Sequence, residues 1–217
     1  MTAAARAAAA SARALLEPGA RRRLLAVGVA AALLLGAAAM VVARELVLTD
    51  PPRSSDPPRS APRGADELVR FRDTAGGLSI SHPAGWRRVA SPDPEVRLLV
   101  EGDGASMLVR MSDLGVTVGP DGLRDARKLT DKLVRSAGQA RQERPPKQVT
   151  LGGLPGYLYL YTFPDRASGG RGAHAHYFLF RGRTLITIIF QTVPSERLAG
   201  LAPLFDRIGE TLRVTTL

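Results

Sequence analysis

Two histidines two residues apart, His174 and His176, have the residue type and spacing best suited to chemistry in this sequence. Residues i and i+2 of a strand point to the same face of a sheet, so the two imidazoles could bind a transition metal, with His82 as a third ligand. No acidic cluster lies near the pair to complete a ligand set. We therefore interpret both histidines as ordinary exposed strand residues and expect no metal or other cofactor. A metal-dependent enzyme that uses this pair is the alternative.

Other patterns that support catalysis or ligand binding are missing from the sequence. Without any cysteine, the chain has no disulfide, thiolate metal site, cysteine nucleophile or lipid-modified cysteine anchor. No G-x-S-x-G motif is present for a nucleophilic serine. Residues 152–156 lack the Gly-Lys-Ser/Thr ending of a phosphate-binding loop, and Gly102-Asp103-Gly104 lacks the spaced carboxylates of a calcium loop. We interpret both glycine-rich segments as turns and predict no catalytic residue.

The longest apolar run of the chain covers residues 24–43 and reads LLAVGVAAALLLGAAAMVVA. It contains no charge, no proline and no strongly polar side chain. A helix of this length rises about 30 Å, which matches the hydrocarbon thickness of a bilayer. A soluble amphipathic helix would carry a polar residue at every third or fourth position. We predict that residues 24–43 form one transmembrane helix, so the lipid bilayer is a direct partner.

The charges that flank this segment predict its orientation. Arg21, Arg22 and Arg23 precede it directly, whereas basic and acidic residues are balanced on its far side. The positive-inside rule then places residues 1–23 in the cytoplasm and the C-terminal domain outside, as in a single-pass protein of the cell membrane. The alternative is a signal peptide cleaved near Val41-Val42-Ala43, although the apolar run is longer than usual for one. Both alternatives export the same domain.

A proline-rich segment follows at residues 44–66 and contains the sequence DPPRS twice, at 50–54 and 56–60. Proline fixes its own φ, lacks an N–H donor and biases the preceding residue toward extended backbone. The segment is therefore predicted to be a semi-rigid extracytoplasmic linker that holds the domain away from the bilayer. A ligand for a polyproline-binding domain is the alternative.

Residues 67–217 show the pattern of one α+β domain, in which hairpins are interrupted by two helices. Predicted strands lie at 68–71, 78–81, 96–100, 107–111, 148–151, 157–163, 177–180 and 184–191. Apolar residues at helical spacing predict helices at 121 to about 137 and at about 195–212. Pro203 should kink or restart the second helix. We expect an antiparallel β-sheet with helices packed on it.

The segment Ser81-His82-Pro83-Ala84-Gly85-Trp86 resembles the strand and Pro-x-Gly-Trp opening of PsbP-like domains. The later Gly153-Leu154-Pro155-Gly156-Tyr157 strand, the long hairpin and the closing helix are similar in order. A Ran-binding import factor and the mycobacterial LpqN-type lipoproteins share this fold. The resemblance implies an α/β/α sandwich, an actinobacterial membrane-anchored envelope protein and a non-catalytic accessory or binding role. It carries over no ligand residue.

Trp86 is the only tryptophan, and it follows the Pro-Gly turn directly. We interpret it as a buried structural anchor, with a ligand platform as the alternative. The formal net charge of +10 comes almost entirely from arginine, which a GC-rich genome would favour. Such a charge is compatible with nucleic acid, an anionic membrane or an acidic polymer.

One face of the first predicted helix carries Arg124, Lys128 and Arg135. A solvated face is the default interpretation. If the face is functional, it suits anionic lipid or an anionic wall polymer, and the predicted location outside the cell argues against nucleic acid. We therefore expect a membrane-anchored, non-enzymatic binding or accessory module of the cell envelope, with an envelope protein or anionic polymer as partner. An envelope enzyme dependent on metal at His174 and His176 is the alternative.

Overall fold

The computed structural model describes residues 67–136 and 140–215. The predicted cytoplasmic segment, transmembrane helix and linker at residues 1–66 lie outside the described residues, as does Ala137 at the predicted end of the first helix. Across the described ranges, no helix combines the length and apolar character needed to cross a membrane.

Ten strands, two α-helices and one short 3-10 helix make up the described part of the chain. The strands are β1 Leu68–Asp73, β2 Leu78–Pro83, β3 Arg87–Arg88, β4 Val96–Gly102, β5 Ala105–Val118, β6 Arg141–Gln142, β7 Lys147–Leu151, β8 Leu154–Pro164, β9 Arg171–Thr192 and β10 Arg213–Val214. The α-helices are α1 Leu123–Ser136, which follows the 3-10 helix Pro120–Gly122, and α2 Arg197–Glu210. Both helices and the longer strands match the predicted elements in type and order, whereas the two-residue strands β3, β6 and β10 were not predicted.

The strands form two antiparallel sheets. The large sheet has the order β3-β4-β5-β9-β8-β6, and β7 also pairs with β8. The small sheet has the order β1-β2-β10. The prediction of an antiparallel α+β fold is confirmed, but the single sheet expected from the sequence is corrected to two. The second sheet arises because β10, at the end of the chain, pairs with β2 near its beginning.

Strand β9 runs as one element from Arg171 to Thr192. Its contacts nevertheless show two halves that form a hairpin with its turn at Gly182. Its first half pairs with β8, whereas its second half pairs with β5. His174 Nε2 lies 2.7 Å from Gln191 Oε1, which a straight strand of this length could not allow. Gly182 has a φ of +56°, a conformation that glycine adopts without strain. The hairpin predicted around residues 181–183 is therefore confirmed.

The hairpin predicted at Gly102-Asp103-Gly104 is also present, between β4 and β5. Asp103 and Gly104 have φ values of +51° and +67°. Positive φ at both central residues is the signature of a type I′ turn, and its twist suits two antiparallel strands. The turn interpretation of this segment is correct.

The two helices cover opposite faces of the large sheet. Leu185 packs in the core beneath α1, with Ala126 and Leu133, whereas its neighbour Ile186 packs in the core beneath α2. Successive side chains of a strand point to opposite faces, so the two cores lie on either side of the sheet. The rings of Phe190 on β9 and Phe205 on α2 stack at 4.5 Å. This arrangement is an α/β/α sandwich.

Pro203 does not restart α2, so the restart that the sequence allowed is ruled out, and the kink stays a prediction. The helix runs without interruption from Arg197 to Glu210 with Pro203 inside it. The proline falls on the seventh helical residue, where it removes one backbone hydrogen bond. Phe205, Ile208 and Leu212 are all buried against the sheet just beyond it, and this packing opposes a break in the helix.

Candidate functional site

The structure places His174 and His176 on one face of β9, both buried, with exposed fractions of 5% and 7%. Their interpretation as exposed strand residues was wrong. Burial follows from the strand order, because β9 lies in the interior of the sheet between β8 and β5. Aromatic rings also cover the imidazoles: Phe163 lies 4.5 Å from His174, and Phe178 stacks on His176 at 4.0 Å.

The two imidazoles share one hydroxyl. Tyr161 Oη lies 2.9 Å from the Nδ1 atoms of both His174 and His176. His174 Nε2 lies 2.7 Å from the acceptor Gln191 Oε1, so this nitrogen carries the proton of the neutral ring. His174 Nδ1 then accepts a hydrogen bond from Tyr161, and Tyr161 in turn accepts one from His176 Nδ1. A directed chain of three hydrogen bonds runs from His176 through Tyr161 and His174 to Gln191.

Burial keeps the side chains of this hydrogen-bond series uncharged. Desolvation lowers the pKa of His174 to about 4. The pKa of His176 lies well below its usual range, mainly because of desolvation and also because protonation of both neighbouring rings would place two positive charges side by side. Burial also raises the pKa of Tyr161, so its hydroxyl keeps the proton that it donates. Both histidines are therefore neutral at pH 7, and each has a fixed tautomer.

The hydrogen bonds also decide how the histidine pair could bind a metal. Both Nδ1 atoms and His174 Nε2 already form hydrogen bonds. The two rings therefore cannot chelate one ion unless at least one of these hydrogen bonds breaks. Only His176 Nε2 has a free lone pair, and it is buried with no hydrogen-bond partner in the described part of the chain. His82 lies on β2 of the other sheet, and its Nδ1 is 3.0 Å from the Pro83 carbonyl oxygen. Over the described residues, no three metal-ligating side chains come together.

A second buried polar group lies on the same sheet face and was not found from the sequence. Arg110 on β5 is 2% exposed and donates hydrogen bonds to Asp93 at 2.9 Å and to Glu95. Ser112 also donates to Glu95 at 3.0 Å. Thr187 lies directly opposite Arg110 on β9. The only signal in the sequence is a charged residue within the apolar run of β5, where residues 107–111 read MLVRM.

Arg124, Lys128 and Arg135 are exposed along the outer side of α1, opposite the buried Ala126, Leu133 and Val134. Lys128 pairs with Asp125 at 2.9 Å, and both side chains are largely exposed. No ion pair forms at Arg124 or Arg135 with any residue that the structure describes. We call these three residues the α1 basic stripe. Solvent screening makes the Lys128 pair weak, so all three charges remain available to a partner.

Trp86 is buried, with an exposed fraction of 7%, as the sequence predicts. Its backbone N–H donates to the Pro83 carbonyl oxygen at 3.0 Å and closes a tight turn after β2. The ring belongs to the core beneath α2, together with Val100 and Ala105. These contacts fit a structural anchor, because a ligand could not reach the face of the ring without displacing core residues.

A cleft of about 460 Å³ opens on the α2 side of the large sheet, between the sheet edge and the start of α2. Its lining residues are Arg141, Glu143, Thr162, Arg171, Ala173, Ser195, Glu196, Leu198 and Ala199. They come from β6, β8, β9, the turn after β6 and the start of α2. Sequence analysis did not single out any of them, because they are scattered over sixty positions of the chain.

Comparison with protein-family models and with curated proteins finds no match to this chain. Comparison with solved structures finds several similar proteins, among them three from different organisms. LpqN of Mycobacterium tuberculosis, a protein involved in cell envelope biogenesis, aligns with a TM-score of 0.51 and 11% identity, over 70% of this chain and 87% of LpqN. The cyanobacterial PsbP protein CyanoP of Synechocystis aligns with a TM-score of 0.46 and 18% identity, over 73% of this chain and 98% of CyanoP.

The third is the Ran-binding protein Mog1p of Saccharomyces cerevisiae, with a TM-score of 0.46 and 13% identity, over 68% of this chain and 95% of Mog1p. At such identities the likeness is one of fold. The likeness to LpqN agrees with the resemblance drawn from the Pro-x-Gly-Trp segment. The chain has the LpqN-type α+β fold.

Proposed function

We propose that this chain is a membrane-anchored, extracytoplasmic binding or accessory module of the cell envelope, without catalytic activity. Residues 24–43 are the proposed anchor, and residues 44–66 are the linker that carries the domain. LpqN, which has the same fold, is involved in cell envelope biogenesis, and this supports the same compartment for the present chain. Fold alone does not specify a function, so the binding role rests on the surface of the domain.

The observation that carries the proposed binding role is the α1 basic stripe. Residues 124, 128 and 135 fall within about 40° of one another around the helix axis and span roughly 16 Å along it. A straight row of three cations over this length matches a plane or chain of phosphate groups. Each basic residue next to an anionic membrane contributes about 1 kcal/mol. The proposed partner is a phosphate-bearing envelope surface.

The histidine cluster supports a structural role rather than a catalytic one. Three hydrogen bonds link its four side chains, and burial keeps both imidazoles neutral. A metal-dependent envelope enzyme remains the second candidate, because His176 Nε2 is a buried lone pair without a partner in the described residues. Metal analysis of the full chain purified without chelators separates the two, since an enzyme of this kind should retain a stoichiometric metal that His176→Gln removes.

The test of the binding role uses the full chain reconstituted in nanodiscs of neutral phosphatidylcholine. Binding to phosphatidylglycerol vesicles is measured by flotation at several salt concentrations, and binding to soluble polyphosphate in parallel. We expect salt-sensitive binding that the variant R124Q/K128Q/R135Q weakens about 100-fold, at about 1 kcal/mol per charge. Affinity for vesicles alone identifies lipid as the source of phosphate, whereas affinity for polyphosphate identifies a polymer.

A matched control separates the α1 basic stripe from net charge. The variant R70Q/R72Q/R166Q removes the same charge from exposed arginines outside α1. It should bind vesicles nearly as well as the wild type. Equal weakening by both triple variants, or no binding by the wild type, would overturn the proposal.

A further inference from the structure

We propose that the cleft between the sheet edge and the start of α2 binds a small zwitterion, such as an amino acid or a very short peptide. Its lining holds two arginines, Arg141 and Arg171, and two glutamates, Glu143 and Glu196. This site lies on the α2 side of the sheet, so the inference is independent of the α1 basic stripe.

The four charged side chains line one cleft and are not paired directly. Within the described residues, no ion pair forms between any of these arginines and glutamates. Instead, Arg171 Nη2 donates to Thr162 Oγ1 at 2.5 Å, and Thr162 Oγ1 donates to Glu143 Oε1 at 2.8 Å. The hydroxyl holds a guanidinium and a carboxylate close together, yet leaves most of their hydrogen-bonding capacity free.

The charge pattern selects the ligand class. A carboxylate suits the forked donors of Arg141 and Arg171, and an ammonium group suits the acceptors of Glu143 and Glu196. A ligand with only a negative charge would give the two glutamates no cationic partner. A ligand with only a positive charge would give the two arginines no anionic partner. A ligand that carries both charges at short separation satisfies all four groups.

The size and lining of the cleft restrict the rest of the ligand. A volume of about 460 Å³ lies at the lower end of the range for small-molecule sites. Ala173, Leu198 and Ala199 supply an apolar surface of small and medium side chains. None of the described lining residues is aromatic, so the cleft offers no ring on which a sugar or base could stack. A small aliphatic side chain fits this surface best.

The walls of the cleft are held in place by backbone contacts. The Ser195 N–H donates to the Arg171 carbonyl oxygen at 2.8 Å, which fixes the segment that leads into α2 on the first residue of β9. Arg171 and Thr162 belong to the paired strands β9 and β8, and Arg141 on β6 pairs directly with Thr162. Because the charged residues sit on connected elements, little ordering of the backbone is needed when a ligand binds, and the cost falls on the exposed charged side chains.

The experiment is calorimetric titration of the full chain in neutral detergent with the dipeptide Ala-Ala. Acetyl-alanine, which has only the negative charge, and alaninamide, which has only the positive charge, are titrated in parallel. We expect Ala-Ala to bind at least tenfold more tightly than either. Arg171→Gln and Glu143→Gln should each weaken binding of Ala-Ala at least tenfold, because each removes one charged partner.

Arg166→Gln and Glu67→Gln remove the same charges at exposed positions outside the cleft and should leave binding unchanged. Thermal unfolding of each variant checks that the fold is intact, and Arg141→Gln, at an exposed edge position, repeats the test if Arg171→Gln unfolds.

Equal binding of Ala-Ala and acetyl-alanine would mean a simple anion site and overturn the proposal. No binding at millimolar Ala-Ala would also overturn it. The cleft and the α1 basic stripe share no residue, so neither result bears on vesicle binding by α1. Accordingly, R124Q/K128Q/R135Q should bind Ala-Ala as tightly as the wild type does.

Discussion

Trp86 packs so closely on Gly102 that a Cβ atom at residue 102 would lie 2.7 Å from the indole Cδ1. Gly102 is the last residue of β4, and Trp86 follows the turn after β2. This contact therefore ties the polypeptide that leaves the small sheet to the large sheet. It also gives a physical reason for a tryptophan and a glycine at these two positions.

Replacement of Trp86 by alanine should lower the free energy of unfolding by about 3–5 kcal/mol, the usual cost of deleting a large buried aromatic side chain. Chemical denaturation of the full chain in detergent provides the measurement. Val69→Ala, at a residue that is 43% exposed, is the control and should change stability little. Unchanged stability of the Trp86 variant, with loss of a ligand, would mean that the ring is a binding platform.

The buried histidines should make the fold sensitive to mild acid. The pKa of His174 is about 4 in the folded chain and about 6.5 in the unfolded chain, so the unfolded state binds more protons between these values. The free energy of unfolding should consequently fall as the pH drops from 6.5, by about 2 kcal/mol at pH 5 from His174 alone. The shift of His176 has the same sign and adds to the loss.

Denaturation curves between pH 7 and pH 5 measure this effect before most carboxylates begin to titrate. The variant H174Q/H176Q should flatten the pH dependence, whereas His82→Gln should retain it. A wild-type chain as stable at pH 5 as at pH 7 would show that the histidines are accessible to protons without unfolding.

Arg110 should be among the costliest charged residues to replace. Its guanidinium side chain is 3% exposed and is the partner of both Asp93 and Glu95. Arg110→Met would leave two carboxylates without their cation, and because Asp93 and Glu95 are 12% and 35% exposed, the cost should be about 3 kcal/mol, the low end for a broken buried pair. Arg87→Met, which breaks the exposed pair with Glu101, should cost less than about 1 kcal/mol. Similar losses in the two variants would contradict the difference that burial is expected to make.

Local patterns in the sequence predict most of the individual elements of this fold. The hairpins at Asp103-Gly104 and Gly182 follow from turn residues that tolerate positive φ, and both helices follow from apolar spacing. The small sheet could not be predicted in this way. Its strand β10 pairs Arg213 with Ser79, and no local pattern brings together residues so far apart in the chain.

The candidate sites were harder to predict for the same reason. The alternation of residues correctly puts His174 and His176 on one face, but their burial depends on Tyr161 from β8 and on Gln191 from the second half of the folded-back β9. The cleft likewise assembles Arg141, Arg171 and Glu196 only after the sheet edge meets α2. By contrast, the α1 basic stripe lies on a single helix, so its spacing was visible in the sequence.

The proposed function depends most on the orientation of the chain in the membrane, which protease treatment of intact, wall-stripped cells measures directly. Because Arg21, Arg22 and Arg23 should hold the N-terminus in the cytoplasm, added protease should cut the proline-rich linker and release a fragment of about 150 residues. Untreated protein should stay in the membrane fraction at full length. A shorter soluble form that begins near Arg44 would contradict the anchor but not the export. Full protection until the cells are lysed would place the domain in the cytoplasm and contradict the account.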